Sequence, residues 1–261
     1  MPPSSMRTSR LSVRRARRAY ACAFTQRRPR HAAWLRPLAA GERVIFLVAA
    51  LLRNEPSDPR VAMLPAYDSW ASGRVTMPAS PHGLGERPYM QRRDRAVWRG
   101  VRSGSQCELH GTGTSLRARV VSYCRGRAWA DVQFGGDWGS ENQWLTPEQQ
   151  CECKVLLLID GNAWASAWEW ALSSGSVVCW IGVWALHVMD DLLPYEHYVP
   201  VRTDLSDLEQ HVEWILAHPA EAERIAQNAL ALFRKVATPE HTRRSLVKAL
   251  SVAARNTGPP P

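Results

Sequence analysis

Three short polar or glycine-containing segments could bind an anionic ligand and act on it, and each follows a stretch of apolar residues. They are Asn54-Glu55-Pro56, Arg99-Gly100-Val101-Arg102-Ser103-Gly104 and Asp160-Gly161-Asn162. Arginine offers forked donors that suit phosphate, and glycine lets a ligand approach the backbone closely. Together these residue types favour a nucleotide diphosphate site, although arginines beside a glycine turn are more often simply solvated.

The apolar stretches predict the strands that must place these segments. Buried strands are predicted at 44–48, 96–98, 154–160 and 177–181, and a helix is predicted over 163–172, between the last two. A strand–helix–strand unit requires a parallel sheet and hence an α/β fold. Such folds bind ligands at the carboxyl ends of their strands, and a helix beginning near Ala163 would present free N–H groups there.

Further elements are predicted on both sides of this unit. A helix over 115–123 and a strand over 127–134 precede it, and a short strand over 197–201 follows it. Asp204 is expected to cap the next helix, with Asp207 at the third position. Two more helices are expected from Pro219 to about Val236 and over roughly 239–254.

The positive charge of the chain is confined to its first 41 residues. They hold ten arginines and no acid, whereas the remaining 220 residues carry 23 basic and 24 acidic side chains. We therefore expect no nucleic-acid-binding face on the folded body. The basic segment fits a transit peptide, an RNA-binding arm or sequence upstream of the true start.

Several other classes of protein are disfavoured by the sequence. The longest apolar runs, 44–52 and 177–186, are shorter than the roughly 18–20 residues of a membrane span, and no secretory signal follows Met1. Cys151-Glu152-Cys153 lacks zinc-ligand spacing, and the chain has no Asp-x-Asp pair, so no metal is expected.

Four blocks, in the same order along the chain, resemble glycosyltransferase family 90, the KDEL-motif and capsule-associated group that includes protein O-glucosyltransferases. The resemblance extends over roughly residues 43–250. The blocks are Trp98-Arg99-Gly100 with Arg102-Ser103-Gly104, then 153–162, 172–178 and 197–208.

This resemblance implies a GT-B-like α/β fold with Rossmann-type parallel sheets. The N-terminal half would be abbreviated, since only about 110 residues precede the second half. The expected segments are a basic disordered or targeting stretch (1–41), a partial N-terminal half with acceptor-side loops (42–140), a nucleotide-sugar-binding half (141–255) and a tail (256–261).

The resemblance also implies an activity: transfer of a sugar from a UDP-sugar to a protein or glycan hydroxyl by metal-independent inverting displacement, without a cofactor. Arg99, Gly100, Arg102 and Ser103 would meet the diphosphate. The nucleotide pocket would be lined by residues of the loop after the strand predicted at 154–160: Gly161, Asn162, Ala163, Trp164, Ala165 and Ser166. The implied compartment is the secretory-pathway lumen.

Two positions depart from the family pattern. The family's general base is an Asp in an Asp-x-Pro segment, and here that position is Asn54, which cannot accept a proton; Glu55 and Asp58 are the nearby carboxylates. Ala167 stands where the family often has an arginine that would stabilise departing UDP. An active transferase and a truncated or degenerate binding protein therefore both remain open.

Overall fold

The computed structural model describes residues 45–47, 50–51, 61–63, 86–104, 114–136, 144–162, 164–185, 188 and 191–256. Nine strands lie within them: β1 (Ile45–Leu47), β2 (Ala50–Leu51), β3 (Val61–Met63), β4 (Arg93–Gly100), β5 (Ala130–Phe134), β6 (Cys153–Ile159), β7 (Val177–Ile181), β8 (Trp184–Ala185) and β9 (Val199–Val201).

Six α-helices connect or follow these strands. They are α1 (Leu116–Cys124), α2 (Pro147–Gln150), α3 (Trp168–Ala171), α4 (Leu208–Ala217), α5 (Pro219–Val236) and α6 (Pro239–Asn256). The side chain of Ser115 accepts a hydrogen bond from the Ala118 N–H and so fixes the start of α1. Pro219 stands at the first turn of α5, as predicted.

The main sheet has five strands in the order β5-β4-β6-β7-β9, and all of its pairings are parallel. The prediction of an α/β fold with a parallel sheet is confirmed. Strands from both predicted segments, 42–140 and 141–255, share this one sheet, because β4 pairs directly with β6.

The strand order reverses between β4 and β6. The chain leaves β4 toward α1 and β5 on one side, whereas it leaves β6 toward α3 and β7 on the other. Connections that diverge in this way open a crevice at the carboxyl ends of the two strands, which is where α/β folds bind ligands.

Apolar side chains cover both faces of this sheet, so β6 and β7 are buried along their whole length. Successive residues of β6, such as Leu157 and Leu158, point to opposite faces and belong to separate hydrophobic clusters. The first cluster packs against α1 and α4, and the second against α3 and the last turns of α5. The layers are therefore helix, sheet and helix.

Two predicted helix starts are wrong. The helix expected from Ala163 begins only at Trp168 and has four residues, so it presents no helix N-terminus to a ligand. Helix α4 begins at Leu208, after Asp207, whose Oδ1 accepts from the Arg202 N–H. Asp204 instead accepts from the N–H and hydroxyl of Ser206 and closes a local turn. In both cases, side-chain hydrogen bonding in the loop displaces the predicted cap.

The N-terminal strands lie outside the main sheet. β1 pairs in parallel with β3, and β2 pairs antiparallel with β8, which follows β7 closely. Helix α6 contacts β3, so the C-terminal helix returns to the N-terminal strands. Within the described ranges, none of the helices has the length and apolar composition needed to cross a membrane.

Candidate functional site

The loops after β4 and β6 touch one another where the strand order reverses. The Gly104 N–H donates to Oδ1 of Asn162 over 2.7 Å. A Cβ placed on Gly104 would lie 3.1 Å from the carbonyl oxygen of Gly161, and one on Gly161 would lie 2.8 Å from Oγ of Ser103. The structure therefore brings together two of the segments predicted to meet a diphosphate.

Glycine is required at these positions by packing. Gly104 has φ +86°, a left-handed conformation that other residues adopt only with strain. At Gly100, an added Cβ would collide with the indole of Trp98. At all three glycines the space that a side chain would fill is occupied by protein atoms. The contact of these glycines with a ligand therefore stays a prediction.

Arg117, in the first turn of α1, joins the two loops. Its Nη1 donates to the Val101 carbonyl and to Oγ of Ser103, at 3.2 and 2.7 Å. Its Nε and Nη2 both donate to the carbonyl oxygen of Ile159, the last residue of β6. Burial lowers the pKa of Arg117, and the negative charge of Asp160 partly offsets this effect. In the described part of the chain, no carboxylate lies within ion-pair distance of this guanidinium, so a half-buried positive charge stands at the crevice.

A second arginine shows why location matters. Arg92 is buried at the opposite edge of the sheet, where it donates to the Cys151 carbonyl and to Oγ of Ser176. A buried guanidinium that donates to protein oxygens can therefore have a purely structural role. Arg117 differs because it keeps part of its surface exposed and lies at the carboxyl ends of β4 and β6.

Asp160 fixes the loop after β6 to the loop after β7. Its Oδ1 accepts from the Ala165 N–H and from Nε1 of Trp180, at 3.2 and 3.4 Å. Its Oδ2 accepts from the backbone N–H groups of Val183 and Trp184, at 2.8 and 3.0 Å. Burial raises the pKa of Asp160 to about 6, and the four hydrogen bonds oppose this rise.

The two predicted arginines of the β4 segment have different surroundings. The guanidinium of Arg99 is largely buried and pairs with Oδ1 of Asp131 over 2.6 Å, so it ties β4 to β5. Arg102 is exposed, and its guanidinium carbon lies 4.2 Å from the ring centroid of Phe134. Stacking on Phe134 leaves the edges of that guanidinium directed away from the ring, where they can donate to an anion.

The predicted pocket residues after β6 divide into exposed and buried ones. Asn162 and Ser166 are exposed, Trp164 is half-buried, and Ala165 is buried in the core. Ala163 lies outside the described residues, as do the catalytic candidates Asn54, Glu55 and Asp58. Leu51, the described residue nearest to Asn54 in the chain, pairs with Trp184 just beyond β7.

Sequence reasoning missed the roles of Arg117 and Asp160. A signal for Arg117 existed, because a helix that follows a parallel strand begins at the carboxyl edge, and Ser115 marks that beginning. Asp160 directly follows an apolar strand, but its four donors come from backbone and indole groups that no side-chain pattern reveals. The described residues contain no group of three or more His, Cys, Asp or Glu that could hold a metal.

Comparison with known proteins adds to this geometry. Residues 61–240 match the model of glycosyl transferase family 90. The chain is 26% identical over 199 residues to protein O-glucosyltransferase 1 of Homo sapiens, covering 69% of this chain and 50% of that protein. It is 31% identical over 191 residues to the uncharacterized protein 027R of Frog virus 3, covering 67% of this chain and 19% of the viral protein.

One further match has a similar extent. The protein O-glucosyltransferase 1 of Rattus norvegicus is 27% identical over 192 residues, which cover 67% of this chain and 48% of the rat protein. The chain thus spans about half the length of these transferases and less of the viral protein.

Proposed function

Because the chain belongs to glycosyl transferase family 90, we propose that it transfers a sugar from a UDP-sugar to a hydroxyl of a protein or glycan. The observation that carries this proposal is the half-buried guanidinium of Arg117 at the point where the strand order reverses. A diphosphate placed there would supply an anion to this guanidinium, which forms no ion pair among the described residues.

Binding would use groups from both loops. Arg117 would lie beneath the diphosphate, and Arg102, which is exposed and stacks on Phe134, would reach the diphosphate from the loop after β4. The nine-residue helix α1 begins at the same edge, and its free N–H groups favour negative charge there. Trp164 offers an aromatic surface to the nucleoside or the sugar.

The proposed reaction is a single displacement. The acceptor oxygen attacks the anomeric carbon while the bond from that carbon to the β-phosphate oxygen breaks. The hydroxyl proton passes to a carboxylate, for which Glu55 and Asp58 are the candidates. UDP leaves with the bonding electron pair, and Arg102 and Arg117 stabilise its charge without a metal.

A GT-B arrangement and a secretory-lumen location belong to the same proposal. The parallel pair β1–β3 outside the main sheet, and the contact of α6 with β3, support a second, N-terminal sheet. Those strands would place the acceptor-side loops opposite the nucleotide.

A binding protein without turnover is the second candidate, because Asn54 and Ala167 replace the family's base and one of its arginines. Incubation of the purified chain with UDP-glucose or UDP-xylose, with water taking the place of the acceptor hydroxyl and with and without EDTA, separates the two. A transferase releases UDP equally with and without chelator, and Arg102→Ala slows this release. UDP binding without release supports the second candidate, and no UDP binding contradicts both.

A further inference from the structure

The carboxylate of Asp160 occupies a junction of three segments at the crevice. It receives N–H groups from the loop after β6, from the side chain of Trp180 in β7, and from the loop after β7. The side chain is 2% exposed, so solvent does not compete for these hydrogen bonds.

The surroundings fit a carboxylate closely. Each oxygen accepts from two donors, whereas an asparagine would place an NH₂ group against two N–H groups. A Cβ on Gly182 would overlap the Asp160 carboxylate, so glycine at this position leaves the space that the Asp160 side chain occupies. The charged group facing it among the described residues is Arg117 of α1.

We propose that Asp160 is a positioning residue for the nucleotide pocket. By holding Ala165, Val183 and Trp184 at fixed places, it sets the shape of both loops beside Arg117. This inference rests on the proposed function, because the ligand for which the loops are shaped is the nucleotide of the donor. Asp160 itself does not touch the ligand; it acts through the loops that do.

The test combines UDP titration calorimetry with hydrogen exchange in Asp160→Asn. Exchange is followed in peptides covering 160–167 and 182–185, with the β6 peptide 153–159 as internal reference. Asp94→Asn is the matched control, since that carboxylate pairs with Lys154 at the amino end of β4, away from the crevice.

We expect Asp160→Asn to speed exchange in both loop peptides at least tenfold, to leave the β6 peptide protected, and to raise the Kd for UDP at least tenfold. Asp94→Asn should leave hydrogen exchange in both loop peptides unchanged. Unchanged loop protection would overturn the proposal, and so would fast-exchanging loops that bind UDP within twofold of the original chain.

Trp180→Phe keeps the test decisive if Asp160→Asn does not fold, because it removes a single donor to Oδ1. We expect faster exchange in the 160–167 peptide and a Kd raised about threefold; wild-type values for both would contradict the proposal. A wild-type chain that binds no UDP would contradict the proposed function instead, while the exchange data would still decide whether Asp160 orders the loops.

Discussion

Arg102 is an exposed arginine of the proposed diphosphate site, and replacing it tests phosphate binding at the level of a single residue. Arg102→Ala should weaken UDP binding about tenfold, because a hydrogen bond to a charged group contributes about 1.5–3 kcal/mol. The same change at Arg125, which is exposed beyond the end of α1, is the control and should leave the Kd unchanged. An equal effect of the two substitutions in isothermal titration would argue that Arg102 contributes only general charge.

Asp160 should make stability depend on pH. Its pKa is about 6 in the folded protein and is ordinarily 3.8, so the folded state holds a proton that the unfolded state releases. The contribution of this proton to the free energy of unfolding is therefore complete below about pH 4. It is lost as the pH rises through 6, a change of about 3 kcal/mol. Urea unfolding from pH 4 to 7.5 should show the free energy of unfolding falling by this amount relative to Asp160→Asn. A difference that stays constant with pH would contradict the assignment.

Residue types alone singled out the two loops that we propose to bind an anion, but they could not show which side chains of these loops already have protein partners. The sequence presents Arg99 and Arg102 as equivalent, whereas the structure pairs Arg99 with Asp131 and leaves Arg102 exposed. The distinction depends on β5 lying beside β4, and that is a tertiary fact.

At the level of elements, contact between the two loops depends on glycine. Gly104 and Gly126 both have positive φ, but an added Cβ meets Gly161 in the first case and open space in the second. Gly126→Ala should therefore lower the free energy of unfolding by about 1 kcal/mol, from backbone strain alone. Gly104→Ala should cost about 2–4 kcal/mol, because overpacking adds to the strain.

Thermal or urea unfolding of both variants, with UDP titration alongside, measures this difference. Equal destabilisation by the two substitutions would show that the loops are free to separate. The Gly126→Ala variant should bind UDP as the original chain does, because its turn lies between α1 and β5.

Strands and long helices were predictable because burial imposes a clear pattern on them. β6 and β7 are continuous apolar runs, and α5 has the predicted bounds because its apolar face repeats at helical spacing. Residues 163–167 were predicted to be the first part of a helix, but the helix begins only at Trp168. The deciding interaction, the acceptance of the Ala165 N–H by Asp160, lies outside local propensity.

For the molecule as a whole, strand order turns separate loops into one site. Neither the β4 loop nor the β6 loop alone would form the proposed diphosphate site. Arg117 of α1 joins the two loops through its hydrogen bonds to Ser103 and Ile159. The β4 loop belongs to the predicted segment 42–140 and the β6 loop to the predicted segment 141–255. The structure places both loops at the ends of adjacent strands of one sheet.

The central claim is that this crevice binds the diphosphate of UDP, and calorimetric titration with UDP, UMP and uridine tests it most directly. The wild-type chain should bind UDP at least about tenfold more tightly than UMP, and uridine more weakly still. In Arg117→Gln the ratio of the UMP to the UDP dissociation constant should fall severalfold, with Arg102 retaining the remainder, whereas Arg119→Gln, on the same helix, should leave the ratio unchanged. A ratio that survives in Arg117→Gln, or a wild-type chain that does not distinguish UDP from UMP, would contradict the account.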